Sequence, residues 1–222
     1  MMEHIIFFIQ RLGPAILAKT YEHIYLTFIA MLIAILIALP LGIYLTRTRW
    51  KRLETLVMNI AGTIQTIPSL ALVALIVIIF ALVGLPTVGV APGITALFLY
   101  ALLPILRNTY TGIRQIDPAV TEVARGMGMT PNQVLFSVEI PLSLPVIMAG
   151  IRISTVWTIG VAALVSLIGA GGLGDLIMQG LRTIRLDLLI AGTVPAAFLA
   201  LISDWVLGAL QRWFVPQGAK TT

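Results

Sequence analysis

The chain has 222 residues, of which 59% are hydrophobic and 10% are charged, and its formal net charge is +5. Because soluble domains usually carry about 25% charged residues, so few charges exclude a water-soluble domain of this size. The basic residues lie in loops between apolar runs, which points to lipid headgroups rather than nucleic acid. With no cysteine, and with His4 and His23 both ahead of the first long apolar run, we expect no metal site and no catalytic residues.

Five apolar stretches predict membrane-spanning helices. About 20 apolar residues are needed to cross the hydrocarbon core, and these runs are continuous rather than alternating, which favours helices over a β-barrel. The predicted spans cover residues 24–45, 56–82, 88–106, 144–168 and 188–210. The expected fold is therefore all-α and polytopic, with an extracytoplasmic amphipathic segment 1–23, a transmembrane domain 24–210 and a cytoplasmic tail 211–222.

The distribution of lysine and arginine predicts the orientation. Nine of them lie after the first span, after the third span or in the C-terminal tail, whereas four lie on the opposite side. By the positive-inside rule, we expect the N-terminus outside and the C-terminus inside. A row of small residues in the first span, Ala30, Ala34, Ala38 and Gly42, predicts close helix packing, within the subunit in preference to a dimer seam.

The polar segment 108–143 carries the most specific signals. Asp117 and Thr130 are each followed by proline, and both are predicted to cap a helix. Gly126 and Gly128 are expected to end the first of these helices. The segment therefore predicts a short helix–turn–helix on the cytoplasmic face of the membrane.

This segment resembles the EAA motif of ABC importer permeases, which reads E-A-A, three residues, G, nine residues, then I-x-L-P. The matching positions are Glu122, Val123, Ala124, Gly128, Val138, Ile140 and Pro141, with Glu139 at the motif's free position. In that family the segment is a coupling loop that docks on an ATPase subunit. The resemblance implies that role for Glu122, Ala124, Gly126, Gly128, Val138, Ile140 and Pro141. Pro141 and Pro145 are expected to end the second helix; the alternative for the whole segment is an ordinary amphipathic connector.

Three further stretches, residues 63–71, 103–109 and 169–174, are similar to permeases for glycine betaine, carnitine, choline and related osmoprotectants. The resemblance implies the five-helix core of the type I ABC importer (MetI-like) fold in the bacterial cytoplasmic membrane. It also implies three kinds of partner: ATPase subunits that hold ATP and magnesium, a second permease subunit, identical or related, and a separate extracytoplasmic binding protein. This chain itself would hold no cofactor.

Two other functions compete with this interpretation. The first is an ABC permease for an amino acid such as methionine, because such permeases share the motif. The second is a stand-alone secondary transporter, which is disfavoured by the shortage of intramembrane carboxylates and of paired inverted halves. Residues 169–174 also match the pattern G-x-G-x-x-G, but no strand precedes them, so a turn at the outer face is expected instead of a nucleotide site.

Several residues inside the spans are candidates for the translocation path. Gln65, Thr66 and Ser69 interrupt the second span, either lining a water-filled path or forming a packing kink. Tyr100 and Trp157 could contact a quaternary ammonium ion, although aromatic side chains in membrane helices more often serve packing.

Arg152 and Asp204 are the charged residues predicted inside the membrane. Both lie at a similar depth, about 12 Å from the cytoplasmic end of their spans. Because lone charges are unfavourable at that depth, we expect them to contact each other within one subunit. The alternative is that each side chain reaches the inner headgroups separately.

Overall fold

A computed structural model describes residues 2–214, with side chains described for residues 11–213. Within these residues the chain is helical and contains no strand, as predicted. The α-helices are α1 Met2–Arg47, α2 Lys51–Thr66, α3 Ser69–Leu82, α4 Val90–Arg114, α5 Pro118–Gly126, α6 Pro131–Val134, α7 Ile140–Ala162, α8 Gly174–Thr183 and α9 Leu186–Phe214. A π-helical turn, Leu135–Glu139, joins α6 to α7, and a 3₁₀ turn, Val165–Ile168, precedes α8.

Four apolar helical segments within the described residues are long enough to cross a membrane. They are Arg11–Arg47, Val90–Arg114, Pro131–Ala162 and Leu186–Trp213. The predicted second span is wrong as a continuous helix, because α2 and α3 are bent by 110° where they meet. Pro68 lacks an N–H for helix bonding, and it holds Ile67 in an extended conformation with ψ 126°. The bend thus falls at the polar interruption between Gln65 and Ser69.

Several other predicted boundaries differ from the structure. Helix α1 begins at Met2, not near residue 24, and Pro14 lies inside it. Pro141 and Pro145 do not end a helix, because both lie in α7. Pro141 directly follows the π-helical turn inside the continuous helical run Pro131–Ala162, and membrane helices tolerate interior prolines. Of the predicted tail 211–222, the first four residues belong to α9, and residues 215–222 lie outside the described residues.

The core lies where α1, α4 and α7 cross. Ala30, Ala34 and Ala38 are fully buried, which confirms that this row of small residues packs within the subunit. A Cβ atom at Gly42 would lie 2.8 Å from Cβ of Thr109, and one at Gly150 would lie 2.8 Å from the carbonyl oxygen of Pro104. Such distances leave no room for a side chain, so small residues set the closeness of these crossings.

Candidate functional site

The loop between α4 and α7, here called the coupling loop after the motif it resembles, is shorter than the predicted segment 108–143. Helix α4 continues to Arg114 and α7 begins at Ile140, so the loop proper is residues 115–139. Helix α5 begins at the predicted cap, where Oδ1 of Asp117 accepts a hydrogen bond of 2.9 Å from the backbone N–H of Ala119.

Gly128 forms the C-terminal cap of α5. Its φ angle is +85°, in the left-handed region that favours glycine. The N–H of Gly128 donates to the carbonyl of Arg125 over 2.9 Å, and the N–H of Met129 donates to the carbonyl of Ala124 over 3.2 Å. This pair of bonds is a Schellman motif, which ends a helix and turns the chain sharply.

Thr130 starts the second half of the loop. Its backbone N–H donates to Oε1 of Gln133 over 2.8 Å, and its hydroxyl oxygen accepts from the N–H of Gln133 over 3.4 Å. This capping box fixes α6, which runs without interruption through the π-helical turn into α7. A movement of the loop is therefore passed to a helix that crosses the membrane.

The coupling loop presents apolar side chains to its surroundings. Val123, Met127 and Phe136 are 62%, 73% and 65% exposed, whereas Ala124 and Val134 are buried between α5 and the second half of the loop. Among the predicted coupling residues, Glu122 and Gly126 are exposed, and Val138, Ile140 and Pro141 are partly buried at the start of α7. The exposed set of an otherwise ordered loop is suited to contact with another protein.

Glu139, assigned to the motif's free position, is one of the buried residues of the loop. Its side chain is 6% exposed and forms an ion pair with Arg47 in the last turn of α1. Sequence reasoning missed this contact. The available signal was a single acidic residue in an otherwise apolar stretch before a membrane helix, which requires a cationic partner.

The candidate path residues fall into two separate places. Nε2 of Gln65 donates to the carbonyl of Tyr100 over 3.3 Å, and the hydroxyl of Tyr100 donates to the carbonyl of Ile67 over 2.8 Å. Thr66 bonds to its own helix through the carbonyl of Thr63, over 2.8 Å. These bonds hold the bend between α2 and α3 against α4, and Ser69 starts α3 beside it.

Trp157 lies elsewhere, in a groove of about 420 Å³ between α7 and α9. The same groove is lined by Arg152 and Asp204, which the structure brings together in one subunit. Nη2 of Arg152 lies 2.8 Å and 2.9 Å from the two carboxylate oxygens of Asp204, and Nε donates to Oδ1 over 3.0 Å.

Comparison with known proteins identifies the family. Residues 38–217 match the family described as binding-protein-dependent transport system inner membrane component. The chain belongs to this family. Together with its apolar helices, this makes the chain a multi-pass membrane protein and an inner membrane component of a binding-protein-dependent transport system.

Relatives of this inner membrane component match over nearly the whole chain. The choline transport system permease protein OpuBB of Bacillus subtilis is 47% identical over 219 residues, which cover 99% of this chain and 97% of the relative. The carnitine transport permease protein OpuCB of Listeria monocytogenes is 43% identical over the same shares of both chains. The osmoprotectant import permease protein OsmW of Salmonella typhimurium is 44% identical over 90% of this chain and 92% of the relative. All three are named as permeases, and this chain is likewise a transport component, not an enzyme.

Solved structures confirm the fold. The MetNI methionine ABC transporter in inward-facing conformations matches with a TM-score of 0.80 and 24% identity, over 90% of this chain and 97% of that chain. An amino acid ABC transporter crystallised with histidines matches with a TM-score of 0.78 and 21% identity, over 92% and 96% of the two chains. The inner membrane component therefore has the MetI-type permease fold that the sequence predicted.

The glycine-rich turn, residues 169–174, is held by α1. Gly169, Gly171 and Gly172 all have positive φ angles. Oε2 of Glu22 accepts from the N–H of Gly172 over 2.8 Å and from Nζ of Lys19 over 2.7 Å, and the same Nζ lies 2.7 Å from Oδ2 of Asp175. The glycines of the turn allow the backbone its positive φ angles, and the contacts with Lys19 and Glu22 fasten the turn and α8 to α1.

Proposed function

We propose that this chain is the permease subunit of an ATP-driven importer for quaternary-amine osmoprotectants such as glycine betaine, carnitine and choline. The observation that carries the proposal is the identity of 43% to 47%, over 99% of the chain, to permeases named for choline, carnitine and glycine betaine transport. Permeases this similar over their whole length generally share the same fold and transport the same class of solute. The stretch 63–71 of that resemblance includes Gln65, which bonds to α4 at the bend.

In the proposed function, the coupling loop docks on a partner ATPase subunit that binds ATP and magnesium. The exposed apolar residues Val123, Met127 and Phe136 would be covered by that subunit. Glu122, Ala124, Gly126, Gly128, Val138, Ile140 and Pro141 are the proposed coupling residues. Because the loop continues into α7, closure of the ATPase subunits would shift α7 and bias the permease between inward-facing and outward-facing states.

We place the N-terminus outside the cell and the C-terminus in the cytoplasm of a bacterium. The support is the excess of lysine and arginine on the side of the coupling loop. A second permease subunit, identical or related, would complete the path, and an extracytoplasmic binding protein would deliver the solute to the outer ends of the helices. In this arrangement the bend at residues 65–69, braced by Tyr100, forms part of the path wall.

Transport of an amino acid such as methionine has weaker support. The solved methionine transporter is only 24% identical to this chain, and a likeness at that level concerns the fold alone. By contrast, relatives named for osmoprotectants match at 39% to 47% identity.

Uptake of labelled solutes tests the proposal. Cells that lack other osmolyte importers would express this chain with its cognate ATPase, second permease and binding protein. We expect uptake of labelled glycine betaine, carnitine or choline, and loss of that uptake when the ATPase chain is omitted. Uptake of labelled methionine, with none of the three quaternary amines, would contradict the proposed substrate class.

A further inference from the structure

The groove between α7 and α9 combines charge, an aromatic face and an apolar wall. It has a volume of about 420 Å³, and its wall includes Ala149, Val156, Ala200 and Leu201 beside the charged pair. Trp157 lies on the same groove and is 60% exposed. These are the features of a small-molecule site, in which a few polar groups fix the orientation of a ligand against apolar side chains.

The depth of the charged pair indicates that the groove does not face lipid. Asp204 lies nine residues before the end of the span at Trp213, which places it about 14 Å along the helix from that end. Its side chain is nevertheless 45% exposed and that of Arg152 is 32% exposed. Charged residues at membrane depth almost always face a bundle interior or a water-filled cavity, because exposure to hydrocarbon is strongly unfavourable.

The side chain of Arg152, on α7, packs against α9 and retains an N–H group that can bind a ligand. Its guanidinium lies over Gly208, where a Cβ atom would come within 3.2 Å of Cζ. Besides its bonds to Asp204, it donates from Nη1 to Oε1 of Gln211 over 3.2 Å. The four hydrogen bonds to described residues leave at least one of the five N–H groups of an arginine for a further acceptor.

Trp157 suits the cationic end of a zwitterion, and the Asp204 carboxylate lines the same groove beside Arg152. An indole face attracts a quaternary ammonium ion through its quadrupole, and a carboxylate adds charge attraction without a directional hydrogen bond, which such an ion cannot donate. Trp157 lies five residues beyond Arg152, which corresponds to a rise of about 7.5 Å along α7. Arg152 and Trp157 therefore line successive parts of one groove.

We propose that this groove is a binding site for the transported zwitterion inside the permease, with the solute carboxylate on Arg152 and its quaternary ammonium group against Trp157. The proposal rests on the proposed osmoprotectant substrate class. The resting ion pair keeps both charges compensated when no solute is present, and the solute carboxylate competes with Asp204 for the guanidinium of Arg152. Such an exchange binds weakly, which suits a site that must release its solute.

A double substitution separates this role from a structural one. Replacing a buried or half-buried ion pair with apolar residues of similar volume is often neutral or stabilising. In Arg152→Met/Asp204→Leu, we expect the complex to assemble with an unchanged thermal midpoint and to lose uptake of labelled glycine betaine by roughly tenfold or more. If the assembled double variant transports glycine betaine within about twofold of the wild type, the pair is structural and the proposal is overturned.

Cysteine labelling decides the matter even if that variant does not assemble. The chain has no cysteine, so Leu201→Cys places a single thiol in the groove, and Leu36→Cys on α1 is a control of similar exposure, 64% against 67%. The probe is a methanethiosulfonate that carries a trimethylammonium group, used on the complete complex with cysteine-free partner chains. We expect labelling of Leu201→Cys that glycine betaine slows and sucrose does not, and no such protection of Leu36→Cys.

The opposite results overturn the proposal. Labelling of Leu201→Cys that glycine betaine does not slow would show that the solute does not enter the groove. Absence of labelling would show that the second permease subunit or lipid covers it. In both experiments the wild-type complex is first tested with glycine betaine, carnitine and choline. Failure with all three counts against the proposed function, import of choline alone counts against a zwitterion site, and failure only of the variants' expected behaviour counts against the groove.

Discussion

Arg47, in the last turn of α1, forms an ion pair with Glu139, the last residue of the π-helical turn before α7. The contact fastens the coupling loop to the C-terminal end of the first membrane helix. The two partners differ in burial: the Glu139 side chain is 6% exposed, whereas that of Arg47 is 39% exposed. Arg47 could turn to water without its partner, but Glu139 could not.

We therefore expect unequal effects from neutralising the two partners. Arg47→Gln leaves a buried carboxylate without compensation and should destabilise the complex by about 3 kcal/mol. Glu139→Gln leaves a half-exposed cation and should cost about 1 kcal/mol or less. Thermal denaturation of the purified complex measures both, and the double variant should recover most of the loss of Arg47→Gln. Equal effects, or a larger effect of Glu139→Gln, would contradict this account of the pair.

Gly128 offers a test of the turn inside the coupling loop. Apart from its two chain neighbours, no residue comes within 4 Å of an added Cβ, so we expect any effect of substitution to come from the φ angle of +85° and not from a clash. Asparagine tolerates this conformation, whereas other residues with a side chain lose roughly 1–2 kcal/mol there. We expect Gly128→Asn to retain solute uptake and Gly128→Val to lose roughly tenfold.

ATPase activity of the same two variants shows where the loss arises. A displaced loop should leave hydrolysis by the partner largely intact and uncouple it from uptake, so that Gly128→Val consumes more ATP for each solute imported. If both variants match the wild type in uptake, the left-handed turn is not needed for coupling.

Close helix crossing predicts that Gly150 tolerates no side chain. A Cβ atom there would lie 2.6 Å from Cβ of Asn108 and 2.8 Å from the backbone oxygen of Pro104. Because the backbone of α4 can move away only at a cost in free energy, Gly150→Ala should destabilise the complex by about 1–3 kcal/mol. Gly62→Ala is the matched control, since nothing lies within 4 Å of its added Cβ and alanine is the better helix former. Comparable thermal midpoints for the two variants would contradict the crossing described above.

Glu22 is expected to hold the glycine-rich turn mainly because its side-chain oxygen accepts a hydrogen bond from Gly172. Its negative charge is expected to contribute less. Glu22→Gln keeps an acceptor for the N–H of Gly172, whereas Glu22→Ala leaves that donor without its 2.8 Å bond. An unsatisfied buried donor costs about 1–3 kcal/mol, so exchange of backbone hydrogens in residues 169–176 should accelerate clearly in Glu22→Ala and little in Glu22→Gln. Hydrogen exchange of that peptide checks the order, with the coupling loop as the unaffected control. Equal acceleration would assign the effect to charge instead.

Local signals in the sequence were sufficient for much of the fold. Asp117, Thr130 and Gly128 act within a few residues of themselves, through caps and a left-handed turn, and the structure has these caps where they were predicted. The rule that proline ends a helix, derived from soluble proteins, failed for Pro141 and Pro145, because both lie inside a helical run and membrane helices tolerate interior proline.

Contacts between distant parts of the chain could not be predicted in the same way. The partner of Glu139 lies on α1, and only the folded arrangement of α1, the π-helical turn and α7 brings Arg47 to it. Arg152 and Asp204 were an exception, because their positions within the predicted spans place both charges at a similar depth, where each needs a partner. The groove they share with Trp157 required the packing of α7 on α9.

Reconstitution in liposomes, with a different set of components on each side of the membrane, tests the central claim most directly. The complete complex would be placed in liposomes with the binding protein and labelled glycine betaine on one side and ATP with magnesium on the other. The account predicts uphill uptake that requires ATP on the side of the coupling loop and binding protein on the opposite side. Uptake that proceeds without ATP, or that an ion gradient alone drives, would contradict it and identify the chain as a secondary transporter.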